Sequence, residues 1–332
     1  MSRRWLGVAL LALCLVGIAV AIFVRKEGEP VTVHLVAEPA QPRVSPDEGG
    51  VALVGLEAAA TYAAERNTRA LVVVRGGHII YEKYWGDTHF DSVVDTGFEP
   101  VLVALVLGTA LNDRLVHNLD APLSQFVPEL GAPENAFTLR GLMARDEAGV
   151  SLEDSTDMLA LAMERLTRQP YQVLVAQRVW GPLGGGDLVF HQANSGRRPE
   201  GVSAGCCLRA RLGDWMRVGE LLANNGVFEG NELVPPHYME LMLGPVHKEA
   251  TRGYFTRVDG SFATHDVAWL EGSNDQRLWV VPSLRLVILR VGGKSPRDWD
   301  EAMIPDSIIR STSGWHPASV GEGIDPNKFA PH

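Results

Sequence analysis

The first apolar stretch runs from Trp5 to Val24, 20 residues without a charge, with Arg3 and Arg4 before it and Arg25 and Lys26 after it. At about 1.5 Å per residue, a helix of that length spans roughly the 30 Å of a bilayer's hydrocarbon core. The stretch reads as a signal anchor. Residues 1–4 then form a cytoplasmic tip, and the body lies outside the inner membrane, in a periplasm-like space. Cleavage is the alternative, because Ala19-Val20-Ala21 has the small-x-small form a signal peptidase takes. It would release a secreted body. Against it, Ile22, Phe23 and Val24 keep the run apolar past the cut, with no polar stretch before it. Cys14 is a poor lipidation site, since the bulky Leu13 precedes it. The run Val101 to Leu111 is apolar for only 11 residues, the length of a buried helix, so no second span is expected.

Residues 25–52 are rich in Pro, Glu, Gly and Val without a sustained period, and read as a linker lifting the body off the bilayer. Gly55 to Arg66 has helical spacing. Ala70 to Arg75 is a β-branched run, Gly76-Gly77 a turn, and His78 to Trp85 a second strand, which together predict a hairpin. The middle of the chain is helical in pattern. Helices are expected over Val101 to Leu115, Thr138 to Ala144, Ser155 to Leu166, Tyr171 to Val179 and Leu212 to Asn224. Strands return at His265 to Leu270, Arg277 to Val281 and Leu284 to Val291, before a closing helix over Arg297 to Arg310. Strands at both ends predict one antiparallel sheet built from both termini, with helices on its faces. A helical lobe is inserted over about 97–245, and 53–315 form one mixed α/β (α+β) domain. Residues 316–332 read as a tail.

Charge narrows the partners. The chain has 40 acidic and 30 basic residues, a net charge of −10, and residues 1–26 hold four basic and no acidic ones. An acidic body excludes nucleic acid, which needs the opposite sign. Three cysteines exclude a disulfide scaffold. Cys206 and Cys207 are adjacent, a geometry that rarely bridges, and are expected as packed thiols. The spacing of His and Cys shows no zinc site. Trp215, Trp269 and Trp279 are expected in the core.

Several segments carry a family resemblance. The hairpin Ala70 to Tyr81 looks like an opening hairpin, and Phe90-Asp-Ser92 like the approach to a nucleophile. Leu119-Asp-Ala-Pro-Leu-Ser-Gln-Phe-Val-Pro-Glu129 is similar to "LDDPVSKYLPE", and Thr138-Leu-Arg-Gly-Leu-Met143 to "ITLRHLL". Trp180-Gly-Pro-Leu-Gly184, Asp214-Trp-Met-Arg-Val-Gly219 and Gln276-Arg-Leu-Trp-Val-Val-Pro282 follow in the same order. The set resembles the serine β-lactamase and penicillin-binding-protein superfamily, closest to its class C-like esterase and 6-aminohexanoate-dimer hydrolase branch. The resemblance implies a β-lactamase/transpeptidase-like fold, with no cofactor and no metal.

It also implies chemistry. The superfamily acylates a serine activated by a lysine three residues on, at the start of a buried helix. A tyrosine or serine relays the proton, and a strand near the C-terminus supplies an oxyanion-hole N–H. Anchored on Val103 to Gly108, the serine position falls on Gly97 and the lysine position on Pro100. Anchored on Phe90-Asp-Ser92, they fall on Val94 and Gly97. The five lysines, Lys26, Lys83, Lys248, Lys294 and Lys328, are preceded at that spacing by Phe23, Ile80, Pro245, Val291 and Asp325, so no hydroxyl or thiol stands there. Ser195-Gly-Arg-Arg198 imitates the motif, but arginine stays protonated. The tyrosine position falls on Ser151 and its Ser/Asn partner on Glu153. The third motif falls on Gly272 to Gln276, keeping Gly272 and Gln276, with Ser273 and Asn274 near the His or Lys position and Asp275 for a glycine. Glu147, Glu153, Asp154 and Asp275 are therefore expected to bring acid to the cleft. Thr96 or Glu99 could cap a helix whose first turn accepts Pro100.

Three functions follow as expectations. The first is a membrane-anchored pseudo-hydrolase without acyl transfer, acting by binding or scaffolding in the cell envelope, its partner an envelope protein or a peptidoglycan-like ligand. The second is an active esterase, amidase or β-lactamase with a rearranged nucleophile, Ser92, Ser151 or Ser155. The third is an assembly subunit whose cleft is filled.

Overall fold

The structure is a computed structural model that describes residues 29–193, 201–247, 250–258 and 261–316. The apolar leader, Ser195 to Arg198, Lys248, Lys328 and most of the C-terminal tail lie outside the described residues. Among the described residues, no helix is long and apolar enough to cross a membrane.

The two glycines at 76 and 77, both left-handed, turn strand β2 (Thr68–Arg75) into β3 (His78–Tyr84). From the other end of the domain come β9 (Ala268–Glu271), β10 (Arg277–Val281) and β11 (Leu286–Gly292). They form one antiparallel sheet in the order β3-β2-β11-β10-β9. β2 and β11 join the two chain ends, with Val73 opposite Ile288 and Val72 opposite Leu289. This is the sheet expected from both termini.

The period of two sorts the side chains into two cores. Leu71, Val73, Trp279 and Ile288 face helices α1 (Leu53–Ala64) and α8 (Met303–Ile309), which pack together. Val72, Val74, Leu278, Val287 and Leu289 face the larger core of the helical lobe. That lobe holds α2 (Pro100–Asn112), α3 (Leu139–Ala144), α4 (Leu152–Thr167), α5 (Tyr171–Val175, continued by one π-helical turn to Trp180), α6 (Leu212–Ala223) and α7 (Pro236–Leu243). α2 is apolar all round and buried from Pro100 to Ala110, as a helix through the centre of a lobe must be. Trp215 and Trp279 are fully buried and Trp269 nearly so, as expected.

Four features differ from expectation. Residues 29–44, read as a linker, lie across the body. β1 (Val31–Val33) pairs with β5 (Leu188–Phe190), and β6 (Arg209–Arg211) and β4 (Val93–Asp95) complete a second sheet. Strands of three residues are too short to show a period, so the sequence pattern missed them. A short hairpin of β7 (Val227–Phe228) and β8 (Asn231–Glu232) escaped for the same reason. The closing helix begins at Met303, because residues before it form turns against Tyr62, whose hydroxyl accepts from the Asp300 N–H at 2.6 Å. Cys206 and Cys207 are joined by a disulfide rather than packed as separate thiols. Their backbone is not extended, since Cys207 adopts a left-handed φ of 68°.

Candidate functional site

The start of α2 meets the end of β9 at the position where the family resemblance places its nucleophile. Gly97 has φ +74°, and a Cβ built there would lie 2.4 Å from the Ser273 nitrogen. A Cβ on Gly272 would lie 1.9 Å from the Thr96 carbonyl oxygen. The two glycines let two backbones touch where a hydroxyl and its target carbonyl would need space. Position 97 is therefore closed to a side chain.

Hydrogen bonds fasten this closure. The Ser273 N–H donates to the Thr96 carbonyl at 3.1 Å. The Gln276 side-chain amide donates to the Asp95 carbonyl at 2.8 Å and to the Thr96 carbonyl at 3.3 Å. An oxyanion hole needs free, converging N–H donors. Here the Ser273 N–H, the N–H of the strand end nearest Gly97, is already bonded within the protein. The turn Ser273–Asp275 is held from behind by Arg290, whose guanidinium donates to the Asp275 carbonyl at 2.7 Å and to the Arg66 carbonyl at 2.6 Å. Arg290 is fully buried, and burial pulls its pKa down to about 10.

The remaining expected positions separate. Pro100 opens α2, as its missing N–H permits. Ser151 is the N-cap of α4: its Oγ accepts from the Asp154 N–H at 3.0 Å and donates to the Asp154 carboxylate at 2.9 Å. The acid expected in the cleft is elsewhere, which corrects the reading of Glu147, Glu153, Asp154 and Asp275. Asp154 turns back onto its own cap. Glu147 accepts from the Thr138 N–H at 3.3 Å beside α3, and Asp275 accepts from the Ser295 N–H at 2.9 Å on the far side of the turn. Glu153 sits in the first turn of α4 and does not line the cavity.

Among the other candidate nucleophiles, Ser92 Oγ accepts from the His89 N–H at 2.9 Å, and Ser155 is buried with a hydroxyl that meets no partner. Of the described lysines, Lys83 pairs with Glu57 at 3.0 Å on β3, and Lys294 is exposed beyond β11.

Glu99, expected as a possible cap, makes no side-chain cap; its backbone is helical. Its carboxyl is buried. One carboxyl oxygen, Oε2, has no partner. Burial raises its pKa to about 7. Asp157, fully buried in α4, accepts the Ala204 N–H at 2.9 Å. This bond ties the segment at Ala204 to α4 of the helical lobe.

Beside the closed point lies a cavity of about 70 Å³. Gly97, Phe98, Pro100 and Leu152 form one wall and Leu270 and Glu271 another, with Arg145, Arg252 and Arg257 among the remaining lining residues. None of the three arginines stood out in the sequence, because they come from separate turns of an acidic chain. Among the described residues no cluster of His, Cys, Asp and Glu could hold a metal ion.

No family model matches the chain, and no curated protein matches it significantly in sequence. Solved structures do match. A Bacillus anthracis protein assigned as a 6-aminohexanoate-dimer hydrolase superposes with a TM-score of 0.63 at 15% identity, over 80% of this chain and 84% of its own. A family VIII carboxylesterase superposes with a TM-score of 0.62 at 13% identity, over 82% of this chain and 100% of its own. FmtA from Staphylococcus aureus gives 0.61 at 12% identity, over 86% and 96%. The chain has the fold of the serine β-lactamase and penicillin-binding-protein superfamily.

Proposed function

We propose that this protein is a β-lactamase-fold pseudo-hydrolase, held at the cell envelope by its N-terminal apolar run, which acts by non-covalent binding or scaffolding. The observation that carries this reading is the contact between Gly97 and Ser273. A side chain has no room at Gly97, where the family resemblance places the nucleophile, and the neighbouring Ser273 N–H is spent on the Thr96 carbonyl. Pro100 supports it, since it offers neither a base nor an N–H at the lysine position. The charge-free run Trp5 to Val24 supports the anchor and a body on the outer side of the inner membrane. A peptidoglycan-like fragment or another envelope protein is the partner this placement favours.

The test is exposure of the purified chain to a fluorescent penicillin and to a fluorophosphonate, followed by intact-mass measurement. The expected result is unmodified protein with both reagents. An adduct on any serine, Ser92, Ser151 and Ser155 included, overturns the reading.

A further inference from the structure

We infer that Cys206 and Cys207 form a thiol–disulfide exchange site, and that reducing it loosens the strand pair leading into Gly97. The inference goes beyond the binding role proposed above and does not depend on it. The two cysteines are consecutive in the chain and joined by a disulfide. A disulfide stabilises a fold mainly by constraining the unfolded chain, and the effect grows with the length of loop it closes. This one encloses no residue, so it contributes little as a staple of the fold. Its effect is local. It closes a small ring around a single peptide link, with Cys207 held at a φ of 68°. That left-handed conformation is uncommon for a residue with a Cβ, and two free thiols leave the backbone free to quit it. Gly205, Cys206 and Cys207 are half-buried, between the buried Ala204 and Leu208, so the pair stands at the surface.

The turn is fixed on both sides. Before it, the Ala204 N–H donates to Asp157 of α4 at 2.9 Å, and a Cβ on Gly205 would lie 2.3 Å from Thr156 Oγ1. After it, Arg209 begins β6 and stands opposite Asp95 of β4, with Ala210 opposite Val94 and Arg211 opposite Val93. The Asp95 and Thr96 carbonyls are the ones that the Gln276 amide and the Ser273 N–H hold in the closure at Gly97. A change of backbone at Cys207 therefore reaches the closed site through Arg209 and one strand pairing. β4 and β6 are three residues each, so few bonds resist it.

The exchange is a two-electron transfer from a dithiol. A thiolate of the dithiol attacks one sulfur, the S–S bond breaks, and the other cysteine leaves as a thiolate. The dithiol's second sulfur then displaces the mixed disulfide. The dithiol departs as a disulfide, its two protons pass through water to the protein, and Cys206 and Cys207 remain as thiols.

Full-length protein in detergent micelles, without denaturant, is treated with iodoacetamide in the absence and presence of excess dithiothreitol. Peptide mass mapping then locates the label. Without the dithiol neither Cys206 nor Cys207 should be alkylated, and with it both should be. The two states are compared by amide hydrogen exchange. Reduction should speed exchange in the peptides spanning β4 and β6 roughly tenfold and leave β2 and β11 unchanged. After removal of the dithiol, oxidised glutathione should reverse both changes. The double variant Cys206→Ser, Cys207→Ser should show the fast exchange with or without the dithiol; if it does not fold, the unaltered chain decides. Alkylation without the dithiol, reduction only once urea has unfolded the chain, or failure of the pair to close again overturns the inference. So does exchange in β4 and β6 that ignores reduction, or an equal rise in β2 and β11, the mark of general unfolding. A penicillin adduct would remove the pseudo-hydrolase reading and leave this inference standing.

Discussion

At Gly97 a left-handed backbone and a Cβ position 2.4 Å from the Ser273 nitrogen act together. A left-handed φ costs a non-glycine residue on the order of 1–2 kcal/mol, and forcing atoms into a packed contact about 1–3 more. Gly97→Ser should therefore destabilise the fold by about 2–4 kcal/mol, read as a lower urea midpoint at unchanged slope. Paired with Pro100→Lys it should give little hydrolysis, because the Ser273 N–H remains engaged. A Gly97→Ser variant as stable as the parent would show that the turn at Gly272 and Ser273 parts easily. Glu99 sets a pH dependence of its own. Its carboxyl is raised from an ordinary 4.5 to about 7 by burial. Below pH 4.5 it is protonated in folded and unfolded chains alike, so its stabilising contribution is whole. Between 4.5 and 7 the unfolded chain loses the proton first, and stability falls as pH rises, by a total of about 3 kcal/mol. The buried Glu220 carboxyl, also raised by burial, adds in the same direction. Carboxyls held low, such as Asp120 beside Arg140, act in the opposite sense, as pH falls through the acid range. The protein should thus be more stable at pH 5 than at pH 8, and Glu99→Gln should flatten the difference. Urea midpoints at the two pH values measure this; an equal difference in the variant would take the effect away from Glu99.

The elements that the sequence makes legible are those with enough residues to show a period. β2, β3, β10 and β11 run five to eight residues, are bounded by turns, and read as strands. β1, β4, β5 and β6 have three residues each, and their partners lie up to about 160 positions away, so neither local pattern nor turn chemistry marks them. The same distinction governs the site. Gly97 and Pro100 are legible because they sit at the head of an apolar helix that the family resemblance aligns. The closure itself is not, since it depends on how Gly272 docks onto Thr96 across some 175 residues. Acid in the cleft was the natural expectation from Glu147, Glu153, Asp154 and Asp275. Glu147 and Asp275 found nearer partners in backbone N–H groups and Asp154 in the Ser151 hydroxyl, a local preference of Asp and Glu beside turns and helix starts that outweighs position in an alignment. The arginines reach the cavity from the end of α3 and from the turns before β9, a convergence that only tertiary structure creates.

Across the molecule, the segment before α1 would, with the proposed anchor, decide how the body stands relative to a bilayer. Four residues separate Val24 from the first described residue, Glu29, so the chain between them reaches at most about 15–18 Å when extended. From Val31 onward the chain is bound to the body. Gln41 donates to the buried Glu220 at 2.8 Å, and the Glu38 N–H donates to the Gly184 carbonyl at 2.9 Å. Arg217, buried in α6, donates to the carbonyls of Leu183 at 2.9 Å, Glu38 at 3.4 Å and Pro39. With the anchor in place, such a strap would hold the second sheet close to the bilayer instead of letting the domain roam. The strap also satisfies a buried charge. Removing residues 1–44 leaves Arg217 with one of its three carbonyl acceptors, and a hydrogen bond to a charged group contributes about 1.5–3 kcal/mol. Adding the lost Gln41 contact and β1 pairing, the loss comes to on the order of 5 kcal/mol, or about 10 °C in Tm for a domain of this size. The comparison is a chain beginning at residue 29 against one beginning at residue 45, both melted under the same conditions. The longer chain should melt higher by about that amount. Equal melting temperatures would mean that the segment is a linker lying on the surface, and that under the proposed anchoring the distance between body and bilayer is free to vary.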